Sequence, residues 1–411
     1  MHPDMHSHLP TRRNLLLGAG ALFAWPYVPK VWAASGRDPR FLVVVLRGGL
    51  DGLSAVMPVG DPQFQNVRSD FKLSATQTPF KLDPLFSLNP AMPNLADLYA
   101  RREATLFHAI ATPYRARSHF DAQEVLENGM TRAGAGVDTG WLNRALSLVP
   151  KAKGIELRPT KALSVSATTP LILRGPAQVE TWQPQTLPYA TADTLMRLQA
   201  LYDDRDQALA NALREGVQVD DFIASDPGMA AMGKQPLKGP NSFAAAARGA
   251  ASLMAPVTGP RIAVMNFDGW DTHASQGPYE GRLAKNLASL DAGIAAMKEG
   301  LGPSWAQTSV LIVTEFGRTV HVNGSSGTDH GTATVAFLVG GAVAGGRVIA
   351  DWPSLKETAL FEGRDLAPTM DLRTVMKGLL IDQFGFDEKV LSDTVFPGSE
   401  RAAGMKGLLR V

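Results

Sequence analysis

Histidines beside carboxylates are the residues of this chain best suited to do chemistry. Three such pairs occur, His119 with Asp121, Asp271 with His273, and Asp329 with His330, and Asp51 and Glu315 add two further acidic groups. Imidazole and carboxylate together suit a divalent cation such as zinc, manganese, magnesium or calcium: carboxylates neutralise charge, and imidazoles give short directional bonds. The sequence contains no cysteine, so thiolate nucleophiles, zinc-thiolate sites, iron-sulfur clusters and disulfides are excluded. Taken alone, any one pair is more often a solvated or helix-capping group. What matters is where the pairs fall.

Each follows a run of apolar, often β-branched residues. Residues 41–46 run into Arg47-Gly48-Gly49-Leu50-Asp51-Gly52, and 104–110 into Arg117-Ser118-His119-Phe120-Asp121. Residues 261–267 lead to Gly269-Trp270-Asp271-Thr272-His273. Residues 310–313 end two residues before Glu315, in a loop that also carries Arg318, His321, Asp329 and His330 ahead of a last run, 333–339. Such runs read as strands buried on both faces of a parallel sheet. Ligands of open α/β sheets collect beyond the carboxyl ends of the strands, so these clusters predict one shared site. His108, inside a strand, reads as a core histidine.

Helical periodicity marks 94–102, 121–128, a helix opening at Gly140, 192–216, 242–254 and 283–298. Residues 58–93 form an irregular excursion, 162–165 and 171–173 read as further strands, and 226–240 is a linker rich in Pro, Gly and Lys. The expected fold is α/β, a three-layer α/β/α sandwich with a mainly parallel central sheet over 34–411, in which 150–260 is an elaboration. The near P-loop at 228–235 fails, because Gln235 replaces the metal-binding hydroxyl and Pro236 blocks the helix. A G-x-S-x-G nucleophile elbow is also missing.

With 45% hydrophobic and 19% charged residues over 411 positions, the composition is that of a large globular chain. Thr11-Arg12-Arg13-Asn14-Leu15 places a twin arginine before an apolar run at 15–25, and Val31-Trp32-Ala33 offers a cleavage point. Residues 1–33 therefore read as a cleaved export signal, too short in its apolar part to span a bilayer. The expected location is the periplasm or beyond, reached through the twin-arginine export machinery, with no stable membrane span. Cleavage removes Arg12, Arg13, Lys30 and Asp4 and leaves the chain near neutrality, without a basic stripe, which argues against a nucleic-acid partner.

These motifs, with Thr139-Gly140-Trp141-Leu142-Asn143-Arg144 and Thr314-Glu315-Phe316-Gly317-Arg318-Thr319, resemble the exported bacterial proteins grouped as domain of unknown function 1501. That group is similar in turn to the alkaline phosphatase, sulfatase and phosphoglycerate mutase superfamily. The resemblance implies an alkaline phosphatase-like fold and a metal-dependent hydrolase of phosphate or sulfate esters acting on a small anionic ester. It matches Asp51 to the first metal-binding Asp, Ser118 to the nucleophile, Asp271 and His273 to a ligand pair, Glu315 to the Asp of an Asp-His-Gly motif and His330 to a final ligand. Asp329 joins them through the spelling Asp329-His330-Gly331. Arg47, Arg117 or Arg318 would clamp the ester oxygens. Phe316 stands where the superfamily has a metal-binding His, which keeps open a second reading: a non-catalytic exported binding or assembly protein with a degenerate site. An exported protein partner is a further implication of the resemblance.

Overall fold

The computed structural model describes residues 38–149, 162–184, 192–225 and 240–410. The export signal at 1–33, the near P-loop at 228–235 and nearly all of the 226–240 linker lie outside these residues. Its strands are β1 (Arg40–Arg47), β2 (Val56–Met57), β3 (Phe80–Lys81), β4 (Ser87–Leu88), β5 (Ala104–Ala111), β6 (Ala162–Val165), β7 (Val179–Trp182), β8 (Ile262–Asp268), β9 (Thr308–Thr314), β10 (Thr334–Val339), β11 (Arg347–Ile349) and β12 (Met370–Asp371). Nine make one sheet in the order β11-β5-β10-β9-β1-β8-β6-β7, with β12 also against β5, while β2, β4 and β3 form a small second sheet.

Strand β1 is central and parallel to both neighbours, in register from Phe41 opposite Ile262 on β8 and from Arg40 opposite Thr308 on β9. Its apolar run is buried on both faces. On one face Leu42, Val44 and Leu46 join a cluster with Phe243 of helix α3 (Pro240–Met254) and Leu283, Leu287 and Ile294 of α4 (Arg282–Leu301). On the other, Phe41 meets Trp141 of α2 (Trp141–Leu148) and Phe384 of α5 (Leu372–Phe384), with ring centroids 6.5 and 6.4 Å away. Helices thus cover both faces, giving the expected three layers. Burial of each such side chain contributes about 1.5–3 kcal/mol.

One strand departs from the parallel expectation. Strand β10 runs antiparallel to both β9 and β5, because the 315–333 connection contains no crossover helix to carry the chain back to the other edge. The amino end of β10 therefore lies at the carboxyl ends of its neighbours, and the residues just before it reach the same edge as Glu315. Two local expectations also need correction. Leu171–Leu173 is a 3-10 helix, a short apolar run entered through Pro170 rather than a ladder strand. The 192–216 helix is two, Ala192–Arg205 and Gln207–Ser225, because the Asp206 carboxylate turns to cap the second by accepting from the backbone N–H groups of Ala208 and Leu209.

Candidate metal centre

Helix α1 (His119–Asn128) begins eight residues beyond β5 and presents His119 from its first turn. Asp271 follows β8, and His330 precedes β10. The ligand atoms of His119, Asp271 and His330 all lie within 4.8 Å of one another. The sheet edge brings together three residues from segments far apart in sequence.

Each imidazole is held in one tautomer. His119 Nδ1 lies 2.8 Å from Glu315 Oε1, so it donates to the carboxylate and leaves a lone pair on Nε2, a buried atom with no hydrogen-bond partner, 3.5 Å from Asp271. His330 Nδ1 donates to the backbone carbonyl of Arg117 at 2.9 Å, leaving its Nε2 lone pair to face Asp271 at 3.4 Å. A histidine whose far nitrogen is tied to a carboxylate or carbonyl is oriented as a metal-bound imidazole is. Asp271 in turn accepts from Arg318 Nη1 at 2.7 Å. Burial would raise the Asp271 carboxyl, but Arg318 and the nearby histidines hold it below its ordinary value.

His273 stands at the exposed edge of this trio. Its Nδ1 is 3.0 Å from Asp329 Oδ1, and its Nε2 is 3.0 Å from Asp271 Oδ1 and 2.9 Å from His330 Nε2. With Asp329 and the Arg117 carbonyl taking the Nδ1 protons, two Nε2 lone pairs face each other at hydrogen-bond distance. That repulsion disappears if a cation or a proton sits between them. The donor set therefore fits a divalent ion, with His119, Asp271 and His330 as the closest ligands, His273 beside them and Asp329 behind His273.

Four predicted residues take other places. Glu315 does not reach the trio as a ligand: its Oε1 accepts from Gly48 N–H (2.9 Å), His119 and Gln123 Nε2 (3.1 Å), and its Oε2 from the Thr314 hydroxyl (2.9 Å). Burial pushes the Glu315 carboxyl up, yet these bonds outweigh it and keep the group ionised. It orients His119. Asp51 lies apart in a buried ion pair, accepting from Arg68 through both oxygens (2.6 and 3.0 Å) and also from Ser54 and Gln276, so its charge is already neutralised within the protein. Two of the three arginines offered as ester clamps are also engaged. Arg47 pairs with Glu127 and Gln123, and the wholly buried Arg318 holds Asp271, Thr328 and the Gly48 carbonyl.

Ser118 caps α1 in sequence, with extended backbone and no side-chain capping bond, one residue before His119. Phe316 packs against His119 and His330, with ring centroids 4.7 and 5.0 Å away, and walls the trio with carbon where a further imidazole was conceivable. Gly48, at φ +123°, lets the chain pass so close to the backbone of Asp271 that a Cβ would sit 2.4 Å from its nitrogen. His108 is a core histidine as expected, donating from Nε2 to the Val56 carbonyl at 3.0 Å, and His321 is exposed, outside the trio.

His119 carried a usable sequence signal, the same strand-end position as the other pairs, but its neighbour Asp121 turns away to accept from the Tyr114 hydroxyl. Arg68 and Gln276 carried none: they lie in an irregular stretch and a loop without any pattern of spacing.

Solved structures similar to the chain include a phosphonate monoester hydrolase of Agrobacterium radiobacter (12% identity, 85% of this chain and 74% of that one, TM-score 0.41) and a sulfatase from Pseudoalteromonas sp. (12%, 98% and 78%, 0.39). An alkaline phosphatase from the Antarctic bacterium TAB5 is similar at 11% identity over 76% of this chain and 95% of that one, with TM-score 0.36. No individually curated protein matches the sequence significantly. The family described as protein of unknown function, DUF1501, matches residues 103–395, most of the chain, and the protein belongs to that family.

Proposed function

We propose that the protein is an exported, metal-dependent hydrolase of phosphate or sulfate esters. The observation that carries this reading is the convergence of His119, Asp271 and His330, with both imidazoles held so that a lone pair faces the shared space. A divalent ion bound there would polarise an ester oxygen and lower the pKa of a bound water or hydroxyl. The chain's own groups do the rest. Glu315 and the Arg117 carbonyl fix the ring orientations, Arg318 keeps Asp271 ionised, and Phe316 keeps water from one side of the trio. Ser118, next to His119 and with its hydroxyl not spent on capping, is the proposed nucleophile.

Mature protein saturated with zinc or manganese should cleave 4-nitrophenyl phosphate or 4-nitrophenyl sulfate, and Ser118→Ala should abolish turnover while retaining metal. Metal bound without hydrolysis of either ester would discard the catalytic part. One observation favours a binding protein as the second reading: Arg68 neutralises Asp51 and Phe316 lines the trio with carbon, so neither position supplies a ligand to a second metal. No helix among the described residues is long and apolar enough to cross a membrane. The proposed location, periplasmic or otherwise exported, rests on the twin-arginine leader.

A further inference from the structure

An anionic ester calls for a cationic donor besides any metal, and the arginines around the trio can be accounted for in turn. Arg47 is spent on Glu127 and Gln123, Arg68 on Asp51, and Arg318 on Asp271. Arg117 donates from Nε to Asp365 at 2.7 Å and from Nη2 to Glu362. Turning any of these toward a ligand would strip a carboxylate of its partner, and three of those carboxylates, on Asp51, Glu127 and Asp365, are buried.

Arg364 is held differently. Its side chain is 44% exposed, and its Nη2 donates to the backbone carbonyl of His330, the residue whose ring completes the trio. Its Nε lies 3.2 Å from Asp365 Oδ1 but off the line of a hydrogen bond, since that oxygen has no hydrogen-bond partner. The other oxygen of Asp365 is already taken by Arg117 and by the Thr332 hydroxyl at 2.8 Å. Arg364 is therefore anchored on the backbone of His330 and ion-paired with Asp365, while its Nη1 makes no hydrogen bond among the described residues.

Building on the hydrolase reading, we infer that Arg364 is the oxyanion-binding arginine of this site, the residue that engages the tetrahedral sulfate or phosphate group of the ligand. A guanidinium presents parallel N–H groups that match two oxygens of such a group. The test is calorimetric binding of inorganic sulfate and inorganic phosphate to the zinc-loaded mature chain, for wild type, Arg364→Ala and Arg364→Lys, with zinc content and melting temperature measured on the same samples. Arg364→Ala should weaken both anions about tenfold or more, Arg364→Lys should recover part of the loss, and zinc content and melting should match wild type. The tighter anion identifies the ester class. Wild-type affinity in Arg364→Ala overturns the assignment, as does a wild type that binds neither anion. The two readings fail separately: a chain that takes up no zinc yet loses anion binding in Arg364→Ala refutes the hydrolase and keeps the arginine.

Discussion

Replacing Glu315 by glutamine removes one charge and leaves almost every atom in place. Oε1 faces three donors, from Gly48, His119 and Gln123, whereas Oε2 faces only the Thr314 hydroxyl. A glutamine can therefore point its oxygen at the three donors and its amide at Thr314, whose hydroxyl turns from donor to acceptor. The orientation of His119 survives, but the ring loses the anion that makes it a stronger base. Loss of such a partner typically weakens metal affinity about 10- to 100-fold, or about 1.4–2.7 kcal/mol. Glu315→Ala should cost more, since it leaves buried donors unpaired, at about 1–3 kcal/mol each, and frees His119 to rotate. The assay is competition for zinc against a chromophoric chelator, with circular dichroism to confirm that both variants are folded. A glutamine variant with wild-type affinity would refute the view that Glu315 acts through His119, and a complete loss of binding in that variant would instead make it a direct ligand.

Three further outcomes are expected. His108 is fully buried, and burial depresses its pKa to about 4, against about 6.5 unfolded. The unfolded chain then takes up the proton first, so stability should fall as pH drops from about 6.5 to about 4, by about 3 kcal/mol in all, and level off below. Urea titrations at several pH values should show His108→Gln losing that part of the slope, and an unchanged slope would contradict it. Asp51→Asn leaves Arg68 buried without its anion and should cost about 3–5 kcal/mol. Folded Asp51→Asn should nonetheless keep its metal, and selective metal loss at unchanged stability would restore Asp51 as a ligand. Replacing Arg12 and Arg13 by Lys should leave the precursor in the cytoplasm in a fractionation assay, and undiminished export would show that the leader is of another kind.

Much of the fold could be read from the residues because the central strands are continuous apolar runs. The runs at 41–46, 104–110 and 310–313, and 261–267 apart from Arg261, lie in strands of the main sheet, since a strand covered on both faces carries few polar positions to obscure the pattern. The direction of β10 could not be read that way, because side-chain pattern does not report which way a buried strand runs. In the site, Asp271 and His330 were legible from their place at strand ends. Glu315 and Asp51 occupy equivalent positions but serve inward-facing hydrogen bonds. The distinction depends on which atom faces which neighbour: Asp51 finds Arg68 only because the irregular 58–93 excursion folds back over it. The arginines show the same limit, since the sequence reveals their charge but not that Arg47 and Arg318 are consumed by Glu127 and Asp271.

The central claim is that His119, Asp271 and His330 hold a divalent metal. Elemental analysis of mature protein purified without chelator, followed by anomalous diffraction from its crystals, tests this directly. Bound metal is expected at the trio, bonded to His119 Nε2, His330 Nε2 and an Asp271 oxygen at about 2.0–2.2 Å, with a melting temperature that falls when a chelator removes it. Protein that carries no metal, takes none up and melts identically with and without chelator would show that the trio is not a metal site.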